Sequence, residues 1–218
     1  MSAGRRPAIA ASAVATGKGD DGTTGLLFGG SRIGKDDSRT EAYGTIDETV
    51  AALGLARAEL IDASGKAEQA SAAARLAAIV LRFQRELFVV GAELASNPEA
   101  HARLEDGRTR VSEAMLVGLE ATLRELEDGL VMPNEFVVPG ETRASAAIEL
   151  ARTILRRAER RTVALRRAGL APGEWLVPYL NRLADVLWVL ARVAEGAESR
   201  AATPARVDGR RARGGAAR

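Results

Sequence analysis

Two stretches concentrate the residue types able to do chemistry. Between Phe136 and Arg161 a short apolar run stops at Pro139-Gly140, and Glu141-Thr142 then opens a long segment of good helix formers with no internal Gly or Pro. Arg152, Arg156 and Glu159 fall at i, i+4 and i+7 and share one side of that helix, with Arg157, Arg160 and Arg161 on its flanks. Guanidinium groups gathered on one side repel each other, so the arrangement suits an anion, either a partner carboxylate or a polyphosphate. A solvated arginine-rich face accounts for this stretch equally well. The second stretch, Thr16 to Gly34, reads TGKGDDGTTGLLFGGSRIG and holds seven Gly among nineteen residues. Glycine lets backbone N–H groups turn toward a ligand, Thr16, Thr23 and Thr24 add hydroxyls, and Lys18, Arg32 and Lys35 add positive charge. That is phosphate-cradle chemistry, although the spacing GxxxxGKS/T is absent and no preceding strand is evident; a flexible arm is the alternative.

Composition narrows the chemistry further. The chain has no Cys and one His, His101, so disulfides, thiolate nucleophiles and Cys/His zinc sites are excluded and catalytic triads nearly so. His101 follows Asn97-Pro98 between helical patterns and reads as a solvated loop residue. An enzyme built from this chain must work with Arg, Lys, carboxylates, hydroxyls and backbone amides, or with a bound cofactor, which leaves positioning and charge stabilisation. The 31 basic and 29 acidic residues hide an asymmetry: Ser199–Arg218 carries +5, leaving the rest of the chain at −3. A mildly acidic body argues against duplex binding as the main function. No apolar run approaches the roughly 20 residues that span a bilayer.

These residues are positioned by helices. A first helix from Asp36-Asp37-Ser38 to about Ala63 buries Ala42, Ile46, Val50, Leu53, Ala56 and Leu60, with Tyr43 and Asp47 on an adjoining face. A second runs from about Ala67 to Ala95, a polar loop covers 99–109, and a third helix spans about Val111 to Asp128. The fourth is the arginine helix, and the fifth runs from about Glu174 to Ala197. On the fifth, Leu176, Leu180, Leu183, Leu187 and Leu190 form the apolar side, while Asn181, Asp185 and Trp188 form a neighbouring stripe at i, i+4 and i+7. Half-buried Asn and Asp need partners, for which the arginines of the preceding helix are the obvious source; a structural polar layer is the other reading. The fold class is therefore all-α, a single five-helix up-and-down bundle of the ferritin-like kind. Residues 1–15 read as a disordered leader, 16–36 as a glycine-rich arm, 37–197 as the bundle and 198–218 as a disordered Arg-rich tail. Removing Ser199–Arg218 is expected to leave activity alone.

Three signatures combine: TGxGDDGTTGLxFGGxRxxKDDxRxxAYGTIDE near the start, FVVPGxTRASAAxxxARTxxRRAERR in the middle and YLNRLADVLWVLAR near the end. In this order and spacing, from about Thr16 to Arg192, the chain resembles the ATP:cob(I)alamin adenosyltransferases of the propanediol-utilisation type. The resemblance implies a cytoplasmic homotrimer with active sites between subunits, which moves the 5′-deoxyadenosyl group of ATP onto the cobalt of cob(I)alamin and releases triphosphate. It also implies an electron supply from a reductase and hand-off of product to an adenosylcobalamin-dependent mutase, with no nucleic acid or membrane partner.

The residue roles follow the same resemblance. Thr16, Gly17, Lys18, Gly19, Thr24 and Gly25 occupy the ATP-wrapping arm, and Lys35 matches a phosphate-contacting lysine. Arg156, Glu159 and Arg160 match nucleotide-binding turns, as does Asn181, and no protein metal site is implied because Mg2+ is held mainly by the triphosphate. Asp47 and Arg152 match a salt bridge between subunits. Phe136 matches the aromatic residue that displaces the lower corrinoid ligand to give four-coordinate cob(II)alamin, and Asp185 matches a residue fixing active-site groups near the corrinoid. The family usually has YTKTGD or YTRTGD at Ala15–Asp20, PGG at Pro139-Gly140-Glu141 and DELNS at Asp47–Ala51. These departures touch the ATP arm most and leave open a carrier or escort that binds adenosylcobalamin without turnover. A helical interaction protein whose Arg tail binds nucleic acid or an acidic partner is a further class; it predicts strongly salt-sensitive binding.

Overall fold

The computed structural model describes residues 14–63, 70–197 and 200–205. Five α-helices dominate it: α1 (Ser38–Ala63), α2 (Ala70–Leu94), α3 (Glu113–Glu127), α4 (Arg143–Arg167) and α5 (Leu176–Ala197). The all-α bundle expected from periodicity is the fold observed. Two small antiparallel ladders accompany it, β1 (Thr23–Thr24) with β2 (Ile33–Gly34), and β3 (Val137–Val138) with β4 (Thr203–Pro204). Most of the leader and the chain after Ala205 lie outside the described residues.

Helix α1 packs between α2 and α4, while α5 packs against α4, α3 and α2. Ala42, Ala52 and Ala56 of α1 and Ala144, Ala147, Ala151 and Ala158 of α4 are all buried. Side chains this small allow two helix axes to approach closely, with Leu53, Ile148 and Leu155 filling the remaining space. The single apolar side read for α5 is too narrow. Thirteen of its 22 residues are buried, among them Arg192 and Glu195, because helices surround it.

Local chemistry sets the element ends. At the start of α4 the Thr142 hydroxyl accepts from the Ser145 amide at 3.0 Å and the Ser145 hydroxyl accepts from the Thr142 amide at 3.2 Å, a reciprocal cap. Asp37 accepts from the Arg39 amide at 2.9 Å before α1, and its hydrogen bonds from Arg39 hold its carboxyl below the usual range. The expected polar loop after α2 instead contains a 3-10 helix, Pro98–Arg103, capped by the Asn97 side chain. His101 lies in it half-buried, with burial lowering its pKa, so the solvated reading is corrected.

One carboxylate ties two inter-helix connections together. Glu93 on α2 is fully buried; one oxygen accepts from the Val111 amide at 2.7 Å and the other from the Gly173 amide at 2.9 Å. A Cβ at position 173 would overlap this carboxylate, so glycine is required by close approach. Burial raises the Glu93 pKa despite the two amides. Glu93→Leu leaves both amides buried and unpaired, which is expected to cost about 2–4 kcal/mol, read by calorimetry as a fall in Tm of roughly 4–16 °C. Because the folded-state pKa is raised, the stability of the native protein relative to Glu93→Gln is expected to fall as pH rises from the ordinary carboxylate range through the raised value.

Candidate active site

The glycine-rich arm is folded rather than loose. Its ladder of β1 and β2 is extended by the Lys35 amide donating to the Gly22 carbonyl at 2.9 Å. Arg32 clamps the arm from within: Nε donates to the Thr23 hydroxyl at 2.7 Å, and Nη2 to the carbonyls of Lys18 at 2.7 Å and Thr23 at 2.9 Å. Asp21 accepts from the Thr23 amide and hydroxyl, which holds its carboxyl below the usual range. The arm is anchored to the bundle at Leu27, whose amide donates to the Ala95 carbonyl at 2.8 Å and whose carbonyl accepts from the Asn97 amide at 3.0 Å. Of the three cations read as ligand-facing, Arg32 is thus committed to the arm's own backbone, and Lys18 and Lys35 remain exposed. A Cβ at Gly19 would lie 3.0 Å from Lys35 Nζ, so any side chain there would push on that ammonium group. Thr16 and Gly17 are exposed beside Lys18, and Thr24 and Gly25 follow on the other side of the turn.

Tertiary contacts divide the arginines of α4. Arg157 pairs with Glu48, and Arg161 pairs with Glu41 at 2.6 Å and also donates to the Thr45 hydroxyl; all three partners belong to α1. Arg152 Nε donates to Glu149 one turn earlier at 2.6 Å. Arg156 and Arg160 stay exposed, Arg160 donating to the Arg156 carbonyl at 3.0 Å. No contact joins Arg156 to Lys35 within one chain.

The partners expected for the α5 stripe are corrected. Asn181 donates to Glu159 at 3.3 Å, so α4 contributes a carboxylate to it instead of an arginine. Asp185 accepts from Arg182 of its own helix at 2.9 Å, and Arg182 also reaches Glu120 of α3. Both Asn181 and Asp185 are exposed, which removes the need for a buried partner. Within one chain Asp47 and Arg152 are not paired. Asp47 lies exposed at an apolar cleft of about 430 Å³ lined by Leu27, Tyr43, Val50, Leu87 and Phe88.

A larger cavity of about 700 Å³ lies beside Phe136, which is 89% exposed. Pro139, Glu149, Arg152 and Trp188 contribute to its walls. Behind it a cluster missed at the sequence level runs from the half-buried Arg152 to the buried Glu149, Arg192 and Glu195. A signal existed: Arg192 continues the Asn181, Asp185, Trp188 stripe by four residues, and a charge inside an apolar helix needs a buried partner. Among the described residues no group of three or more His, Cys, Asp or Glu is placed to hold a metal ion, and no helix is long and apolar enough to cross a membrane.

The tail reading is corrected over its first part. Thr203–Pro204 pairs with Val137–Val138, and the Ala205 amide donates to the Phe136 carbonyl at 2.8 Å, so residues 203–205 brace the strand beside Phe136.

As a class, this is a helical bundle whose fourth helix carries two exposed arginines, Arg156 and Arg160, and contributes Arg152 to a mostly apolar pocket, with a folded glycine-rich arm. The profile of the cobalamin adenosyltransferase family matches residues 14–194. A corrinoid adenosyltransferase of Citrobacter freundii is 41% identical over 83% of this chain and 93% of its own length. One from Bacillus subtilis is 38% identical over 82% of this chain and 84% of its own. A variant PduO-type ATP:corrinoid adenosyltransferase from Lactobacillus reuteri, solved with cobalamin and ATP, superposes with a TM-score of 0.75 at 27% identity, covering 89% of this chain and 97% of that one. The chain belongs to the cobalamin adenosyltransferase family.

The brace has a measurable consequence. A chain ending at Ala205 is expected to keep native amide exchange over 136–138, whereas one ending at Ala197 is expected to exchange there about tenfold faster or more, by hydrogen exchange read with mass spectrometry.

Proposed function

We propose that this protein transfers the 5′-deoxyadenosyl group of ATP to the cobalt of cob(I)alamin, giving adenosylcobalamin and triphosphate. The observation that carries this reading is the division of the α4 arginines. Arg157 and Arg161 are bound to α1, while Arg156 and Arg160 remain free for an anion. Arg152, four residues before Arg156, lines the apolar pocket at Phe136. Residues at i and i+4 on a helix stand about 6 Å apart, so an anion site and a pocket for a bulky apolar substrate adjoin, as bond formation between two substrates requires.

The chemistry asks little of the side chains. Cob(I)alamin is itself a strong nucleophile: its electron pair forms the Co–C5′ bond as the C5′–O bond breaks, and triphosphate leaves with the bonding pair. No general base is needed, which accommodates a chain without Cys and with one half-buried His. Arg156 and Arg160 stabilise the charge growing on the triphosphate, with Lys35, Lys18 and the amides around Thr16, Gly17, Gly19, Thr24 and Gly25 holding the phosphates. Glu159 and Asn181, already bonded to each other, orient the nucleoside. Magnesium enters with the triphosphate, whose oxygens supply most of its ligands.

Phe136 takes the place of the lower axial ligand, leaving four-coordinate cob(II)alamin that is more easily reduced, and Asp185 steadies groups beside the corrinoid. The protein assembles as a cytoplasmic homotrimer in which Arg152 reaches Asp47 of the partner subunit. The exposed Asp47 beside Phe88, itself 66% exposed, supports a face that another protomer covers. A reductase supplies the electron and a mutase that uses adenosylcobalamin takes the product.

An anaerobic assay with ATP and chemically reduced cobalamin, following the cobalt–carbon bond by absorbance, tests the reaction; corrinoid binding without triphosphate release would instead mark a carrier. Arg156→Ala is expected to lower turnover by about 10²-fold or more. Phe136→Ala is expected to keep ATP affinity while losing the four-coordinate cob(II)alamin spectrum, and an unchanged spectrum would reject its role.

A further inference from the structure

Arg192 is 3% exposed on α5 and is absent from the walls of the Phe136 pocket, yet it touches two residues that form them. Its Nη2 donates to Glu195 at 2.8 Å and lies 3.4 Å from one oxygen of Glu149. The other oxygen of Glu149 accepts from Arg152 Nε at 2.6 Å. The Arg192 guanidinium carbon also lies 5.5 Å from the ring centroid of Trp188, one helical turn earlier. Glu149, Arg152 and Trp188 all line the pocket.

A buried guanidinium is a costly way to fill a core, because desolvation offsets most of its attraction to carboxylates. This one is also incompletely satisfied. Nε and Nη1 have no hydrogen-bond partner among the described residues, so only Nη2 makes the carboxylate contacts. What the planar group does supply is direction. It gives Glu149 a second cation beside Arg152, and its guanidinium stands over the Trp188 ring.

We propose that Arg192 is a positioning residue for the corrinoid, holding Arg152 through Glu149 and Trp188 through its guanidinium face, so that both walls flanking Phe136 keep the shape that receives the substrate. This inference rests on the functional reading above. Arg192 does not line the Phe136 pocket and acts on it through Glu149 and Trp188, so its effect falls on the corrinoid step and spares the nucleotide.

The test uses the full chain and two variants. Arg192→Lys keeps the charge and loses the planar face; Arg192→Met with Glu195→Gln removes one charge of each sign and leaves the Glu149–Arg152 pair balanced. Both are expected to hold Tm within a few degrees of wild type and the ATP Kd within about twofold. The four-coordinate fraction of cob(II)alamin with ATP bound is expected to fall about fivefold or more, with KM raised for corrinoid and unchanged for ATP. A folded variant with a wild-type four-coordinate fraction and corrinoid KM overturns the proposal. So does a parallel loss of ATP affinity and thermal stability, or failure of both variants to fold, since either marks a purely structural role. Wild-type protein that forms no four-coordinate species overturns the functional reading itself, and this inference with it.

Discussion

Helix α4 carries five arginines between positions 152 and 161, and the molecule depends on which of them meet a carboxylate in their own chain. Arg157 and Arg161 do so across the α1 interface, where Glu48 and Glu41 answer them. Arg152 does so on its own helix through Glu149. Among the described residues Arg156 and Arg160 do not. The same pairings therefore fasten α1 to α4 and leave Arg156 and Arg160 exposed on one side of the bundle. Exposed pairs of this kind add little stability singly. Their larger effect is to decide where the free charge lies.

Rigidity at that surface comes from groups that never meet a ligand in the proposed reaction. Arg32 is bonded to the arm's own carbonyls and presents the neighbouring lysines instead of itself. Glu93 holds the connections before α3 and before α5 to one point on α2. The Arg192 cluster does for the Phe136 pocket what Glu93 does for the loops, with charge in place of backbone amides. In each case a buried or committed polar group fixes the position of its neighbours, which preorganises a site for charge that develops only during reaction.

The segment after α5 extends this scheme. Read as composition it is an Arg-rich tail, but its first residues form β4 and supply a hydrogen bond to the carbonyl of Phe136. An aromatic side chain that is 89% exposed has few contacts of its own to hold it, so its backbone must be held. The two-residue ladder does that from a part of the chain some seventy positions away.

Much of the fold was legible from periodicity alone, because helix formation and burial follow spacings of three and four residues. All five helices, the buried stripe of α1 apart from the half-buried Val50, and the start of α4 near Thr142 needed only neighbouring positions. The candidate site was legible as motifs: the glycine-rich arm, the arginine face and the Asn181–Asp185–Trp188 stripe. Tertiary structure decided which side chains remain available. Whether Arg157 meets Glu48, whether Asn181 finds Glu159 or an arginine, and whether Arg192 lies in solvent or between two carboxylates depend on the approach of distant segments. Helical periodicity reports which face a residue occupies. It carries no information about what stands opposite that face, and for a charged group that opposite residue determines whether it binds structure or ligand.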